Sequence, residues 1–382
     1  MIPLLGLLGK LTGGGLVGSL ALAADTGISA LLLPYAGTVA DRIDRKKILV
    51  SANLCAVGAV GLLFFVHSGR MAWLGPVAIG AVAMAKAFSG PAASAALPNL
   101  VRPEELSAAT AISGSAWGTM AVIGASMGGV LATAFSPYTC FLITAVGLCL
   151  AAGLSYGVRS PMQAPRDHTV EPPRALAALR ESWHYLKAQP RVRALATVKS
   201  GVGVGNGVLV VFPALALLLH AGNLGTGLLF AARGLGALVG PLLLRRLVIK
   251  RPGWLFAILA VSMSIYGVGY LAIATVPWLP LVLVVVVLAH MAGGGNWATS
   301  SAALQAAVPD ALRGRVLSAD LMVVTVVVST SQIIVGLLVD HTAPRLLIAA
   351  CGSATLIYAL CWRLLTRRIA AGVPELAAAA GP

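Results

Sequence analysis

Apolar stretches long enough to cross a bilayer recur along this chain of 382 residues, and they limit its fold more than any other feature. A helix needs about 20 apolar residues to span the hydrocarbon. Eleven segments qualify, at roughly 14–36, 48–68, 74–96, 108–133, 138–157, 194–218, 223–243, 254–274, 278–300, 317–339 and 344–365. Backbone groups in lipid must be paired within the protein, which leaves helices or closed barrels. The segments lack the polar/apolar alternation of barrel strands, so the expected fold class is an all-α membrane protein. Composition agrees, since 58% hydrophobic and 10% charged residues leave too few polar side chains to cover a soluble protein of this length.

Lys and Arg collect in the cytoplasmic loops of multispanning proteins. Of the 27 such residues here, 21 fall on one side, at Arg42–Lys47, Arg102, Arg159–Arg193, Arg245–Arg251, Arg313 with Arg315, and Arg363–Arg368. The opposite loops hold Lys10, Arg70 and Arg345. The net charge of +15 is therefore a topology signal and gives no reason to propose a nucleic-acid partner. The five cysteines lie in or at the ends of apolar spans without C-x-x-C spacing, which suggests neither a metal site nor a disulfide framework. Residues 1–9 carry no basic n-region or small-residue cleavage site of a signal peptide.

The two halves repeat weakly at an offset of about 204 to 210 residues, as transporter halves do. Ala23-Ala24-Asp25 falls on Ala231-Ala232-Arg233, the basic run 41–47 on 245–251, and Lys86 on His290. Two six-helix bundles follow, with boundaries at 1–157 and 192–366, a cytoplasmic linker at 158–191 and a tail at 367–382. The linker is broken by Pro161, Pro165, Pro172 and Pro173 and then able to form an amphipathic helix over 174–187. The second half carries some 20 residues before Pro213 with no counterpart before Pro3, so residues 1–9 are expected to be the outer half of a helix whose inner half lies upstream.

The run Gly37-Thr-Val-Ala-Asp41-Arg42-Ile-Asp-Arg45-Lys46-Lys47 has the form G-x-x-x-D-R-x-x-R-K. It resembles the signature loop between the second and third helices of the major facilitator superfamily, with Asp44 where the common pattern has glycine. The resemblance implies a conformational role for Gly37, Asp41, Arg42, Arg45 and Lys46. Asp41 would face the N-terminal end of the helix starting near Leu317, and Arg42 or Arg45 would reach Asp320 on that helix. Lys86-Ala-Phe-Ser-Gly90 resembles the R-x-x-x-G motif of superfamily antiporters, with lysine for arginine. Gly124-Ala-Ser-Met-Gly128-Gly129 resembles their fifth-span motif without its proline, and close helix packing explains it as well. Leu97-Pro98-Asn99-Leu100, and Val308-Pro309-Asp310 with Arg313-Gly314-Arg315, look like the paired loops of a branch that holds macrolide, multidrug and siderophore exporters.

Five ionisable residues fall inside spans: Asp25, Lys86, Lys199, Arg233 and His290. A charge at the bilayer centre costs about 3 kcal/mol on insertion scales, so these groups are expected to face the bundle interior. Asp25 is a candidate for proton coupling, with Arg233 or Lys86 holding its charge; a static ion pair is the alternative. His290 titrates near physiological pH in ordinary surroundings and is a second proton candidate, or else a hydrogen-bonded structural residue. The glycines at 293–295 are expected to loosen the helix beside it. Lys199 lies near the start of its span and is expected to snorkel. By resemblance, a binding cavity lies between the bundles, with Phe88, Asn206, Asn296 and Trp297 beside Lys86 and His290, and Trp117 more distant.

The expectation is a proton-coupled exporter of drug-like or siderophore-like molecules in a bacterial cytoplasmic membrane. It would act without a cofactor, use the proton gradient as its energy source, have small molecules, protons and lipid as its partners, and favour a monomer. G-x-x-x-x-G-K-[S/T] does not occur, which disfavours a nucleotide-driven pump, and nothing marks an enzyme. An uptake or lipid-moving carrier on the same fold and a non-transporting sensor remain as alternatives.

Overall fold

A computed structural model of the chain describes residues 1–102, 134–163 and 175–370, with scattered positions between 103 and 133. Thirteen α-helices order the described residues: α1 Ile2–Thr12, α2 Leu16–Arg42, α3 Arg45–Gly61, α4 Leu74–Leu100, α5 Pro137–Gly157, α6 Ala175–Ala188, α7 Pro190–Gly205, α8 Val208–Leu218, α9 Gly222–Lys250, α10 Leu255–Thr275, α11 Leu279–Ala307, α12 Asp310–Leu338 and α13 Pro344–Ala370. Nine stretches among the described residues are long and apolar enough to cross a membrane, and they fall on nine of the eleven expected segments. The first expected segment lies on α2, of which Leu16–Leu32 is apolar. Most of 108–133 lies outside the described residues. Large apolar side chains such as Leu142, Leu154, Ile357 and Leu365 point outward, an exterior suited to lipid rather than water.

Local signals start and stop these helices. Pro137, Pro190 and Pro280 sit in the first turns of α5, α7 and α11, where the missing N–H costs nothing. Gly13, at φ +70°, ends α1 in the left-handed conformation that glycine adopts most easily. Asp44 caps α3, its carboxylate accepting the Lys47 backbone N–H at 3.1 Å. That cap gives a physical reason for Asp where the superfamily pattern has glycine.

Packing repeats between the halves. α2 packs along α4 and α9 along α11, while α3 lies between α4 and α5 as α10 lies between α11 and α13. Short α1 corresponds to α8, and the second half adds α7 before it. α7 and α8 form one 29-residue span, interrupted at Asn206-Gly207. The glycines at 293–295 do not loosen α11, which runs unbroken. A Cβ on Gly294 would lie 2.7 Å from the Ala237 Cα and one on Gly295 2.9 Å from the Gly240 carbonyl, so these residues let α9 and α11 touch.

The halves meet chiefly along α2 and α12. A Cβ on Gly336 would stand 1.8 Å from Ser19 Oγ, so the helices approach as closely as a glycine permits. Thr26 Oγ1 bonds Ser329 Oγ at 2.9 Å and Gln332 Oε1 at 3.1 Å. Just past α12, the Asp340 carboxylate accepts from the N–H groups of Gly15 and Leu16 and caps α2 across the interface. On the basic side, α6 lies against α12, tied by an ion pair between Glu181 and Arg315.

Candidate translocation cavity

A cavity of about 430 Å³ lies between the halves. Asp25 and Thr26 reach it from α2, Lys86 from α4, Arg233 from α9, Trp297 from α11, Thr325 and Gln332 from α12, and Asn206 from the interrupted turn between α7 and α8. Leu4, Leu22, Val82, Phe141, Leu209 and Phe230 give it apolar walls. A second cavity of about 580 Å³ shares Met1, Lys86, Phe141, Thr144 and Phe230 and runs toward Met120, Gly124, Met127 and Gly128. Small and flexible side chains thus border an annex beside the polar cluster.

Lys86 Nζ stands 3.9 Å from Asp25 Oδ1, at the outer edge of an ion pair. Their side chains are 64% and 37% exposed, so this contact is weak and easily exchanged. Arg233 lines the same cavity from the other half, and its Nε is buried with no hydrogen-bond partner among the described atoms. The cavity thus brings together three of the five ionisable residues anticipated within spans, two of them at equivalent positions of the repeat.

Other candidates sit elsewhere. His290 is buried behind two tyrosines, its Nε2 2.6 Å from Tyr270 Oη and its ring edge-on to Tyr266; it lines neither cavity. Asn296 is also enclosed within the second half, donating to the Leu259 carbonyl at 2.9 Å and to Ser262 Oγ at 2.8 Å. Phe88 packs with Ile48 and Ala92 rather than facing the cavity. Trp117 and the side chains of Gly37, Asp41 and Arg42 lie outside the described residues.

The basic loop's described contacts differ from expectation. Asp320 pairs with Lys199, not with Arg45, and both side chains are almost wholly buried. Lys199 therefore does not snorkel. Arg45 instead donates to the carbonyls of Ala95 at 2.7 Å and Met162 at 3.2 Å, while Lys46 donates to Val158 at 3.0 Å and lies over the Tyr156 ring. Val158 is the C-cap of α5, where carbonyls carry partial negative charge, which makes it a natural partner for Lys46. Nearby, Arg102 bonds Glu105 and holds that exposed carboxyl below its usual range.

A model of the Major Facilitator Superfamily matches residues 1–261. The chain belongs to the major facilitator superfamily. As a superfamily member it is a transporter of small molecules rather than an enzyme, set in a membrane through many spans. It is 30% identical over 295 residues to the enterobactin exporter EntS of Citrobacter koseri, a match covering 74% of this chain and 67% of that protein. EntS of Escherichia coli O1:K1 is 30% identical over 265 residues, covering 65% and 62%. The fold resembles that of a bacterial homolog of the human lysosomal transporter Spinster, in an inward-facing and unoccupied conformation (TM-score 0.69, 16% identity, 96% and 95% coverage). It also resembles an auto-inhibited POT family peptide transporter (TM-score 0.71, 14% identity, 96% and 94% coverage).

Thr26, Thr325, Phe230 and Gln332 were not anticipated as cavity residues. Thr26, Thr325 and Gln332 are polar side chains inside otherwise apolar spans, and that was the available signal.

Proposed function

We propose that the chain is a proton-coupled exporter of drug-like or siderophore-like molecules, working by alternating access in a bacterial cytoplasmic membrane. The observation that carries this reading is the loose Asp25–Lys86 pair facing Arg233 across a cavity between the halves. The EntS relatives support a siderophore-like cargo.

A cargo held by charge-assisted hydrogen bonds to the Asp25 carboxylate is held less tightly once the carboxyl is protonated, because the acid loses its charge and turns one oxygen into a donor. Proton and cargo then exclude one another, which is what antiport requires. Lys86 or Arg233 balances the charge of the carboxylate between the two events, and no cofactor enters the cycle. The moving bodies in this reading are residues 1–157 and 192–366, joined by the linker 158–191, with the tail 367–382 outside both. The basic loop 37–46 favours one of the two conformations, and a single chain suffices.

Efflux of enterobactin and of a preloaded fluorescent drug from cells expressing the chain tests this reading, with and without a protonophore. Protonophore-sensitive efflux of either supports it. Accumulation would indicate uptake, and absence of flux from well-inserted protein would overturn the exporter reading.

A further inference from the structure

Among the backbone groups that the interruption of the seventh span frees are the Gly207 N–H and the Val204 carbonyl. In an unbroken helix the Gly207 N–H would bond the Gly203 carbonyl and the Val204 carbonyl would accept from Val208. Here the Gly203 carbonyl takes the Asn206 N–H at 3.0 Å, so the ordinary partners are displaced. Irregular backbone at membrane depth persists only where something re-satisfies it. Ser331 of α12 does both: its hydroxyl accepts from the Gly207 N–H at 3.0 Å and donates to the Val204 carbonyl at 2.5 Å.

A neighbouring serine on α12 uses its donor differently. Ser329, two residues earlier, donates to the Thr325 carbonyl of its own helix, the common habit of intramembrane serines. Ser331 spends its donor on another span. The fit is tight, since a Cβ on Gly207 would lie 2.7 Å from the Ser331 carbonyl and hydroxyl oxygens. Asn206, in the turn between the two freed groups, lines the cavity with Asp25.

We propose that Ser331 is a positioning residue for transport: it stitches the broken span in one geometry and so sets where Asn206 stands in the cavity. α12 also holds the neighbour of Asp25, because Ser329 and Gln332 bond Thr26. One short stretch of α12 therefore contacts the acidic side of the cavity in one half and the break in the other. The functional part of this proposal rests on the transport reading; the stitch itself does not.

Hydrogen–deuterium exchange of the purified full chain, read on peptides covering 204–210, tests the stitch without any substrate. Ser331→Ala is expected to exchange about tenfold faster at Gly207, the effect of losing one hydrogen bond of ordinary strength. Ser331→Thr keeps the hydroxyl and should stay near wild type, and Ser329→Ala controls for a general loosening of α12. Should Ser331→Ala fold poorly, Ser331→Cys, a weaker donor and acceptor, should exchange at an intermediate rate. Exchange at the wild-type rate in Ser331→Ala or Ser331→Cys would overturn the stitch. In flux measurements, Asn206→Ala and Ser331→Ala should each raise the half-saturating concentration of enterobactin with little change in maximal rate. The double variant should be no worse than the stronger single one. Additive losses would overturn the positioning role, whereas absence of flux in the wild type would count against the transport reading and leave the exchange result standing.

Discussion

Lys199 and Asp320 form an ion pair between α7 and α12 in which neither side chain reaches solvent appreciably. One Asp320 oxygen, Oδ1, has no partner among the described atoms, so the pair is held by a single contact.

Removing one member should leave a buried, uncompensated charge, at a cost of about 3–5 kcal/mol. Lys199→Ala or Asp320→Ala should therefore lower the thermal midpoint sharply, whereas Lys199→Met with Asp320→Leu should recover most of it. Thermal unfolding in detergent checks this. A double variant as damaged as the singles would show that the ionic character, rather than filling of the site, is required.

The close approach at Gly336 yields a rescue experiment. Gly336→Ala forces α2 and α12 apart and should destabilise by about 1–3 kcal/mol, as overpacking does. Its added Cβ would meet both Oγ and Cβ of Ser19, at 1.8 and 2.3 Å, so Ser19→Ala should rescue little and Ser19→Gly substantially. Thermal unfolding of the wild type, Gly336→Ala and the two double variants reads the order directly.

Arg45 bridges two chain segments through the carbonyls of Ala95 and Met162. Arg45→Ala should loosen the stretch after α5 by about 1–2 kcal/mol and speed proteolytic cleavage around residues 158–163, while Arg45→Lys should recover only part because an ammonium lacks the planar fork. Unchanged cleavage would show that Arg45 does not hold that stretch.

The spans were legible because the length of an apolar run is a direct consequence of bilayer thickness, and α4, α9, α10 and α11 needed little else. Asp25, Lys86 and Arg233 were legible because a charge inside a span must face protein or a cavity, and the internal repeat put two of them at equivalent positions. What failed was facing. α11 is apolar nearly all round, so periodicity could not show that His290 and Asn296 turn into the second half while Trp297, one residue on, faces the cavity. Asp320 pairs with Lys199 rather than Arg45, and that partner lies 121 residues away, a separation at which sequence spacing carries no geometric information. The basic loop itself was recognisable, but its described partners are backbone carbonyls, which every residue offers and no motif marks.

The most direct test is flux driven by a pH gradient in liposomes containing the wild type or Asp25→Asn. The wild type should move cargo against its gradient when the pH difference is imposed, and release protons as it does so. Asp25→Asn should lose that uphill movement and its proton signal while still equilibrating cargo downhill. Full gradient-driven transport by Asp25→Asn would contradict the assignment of Asp25 as the coupling group.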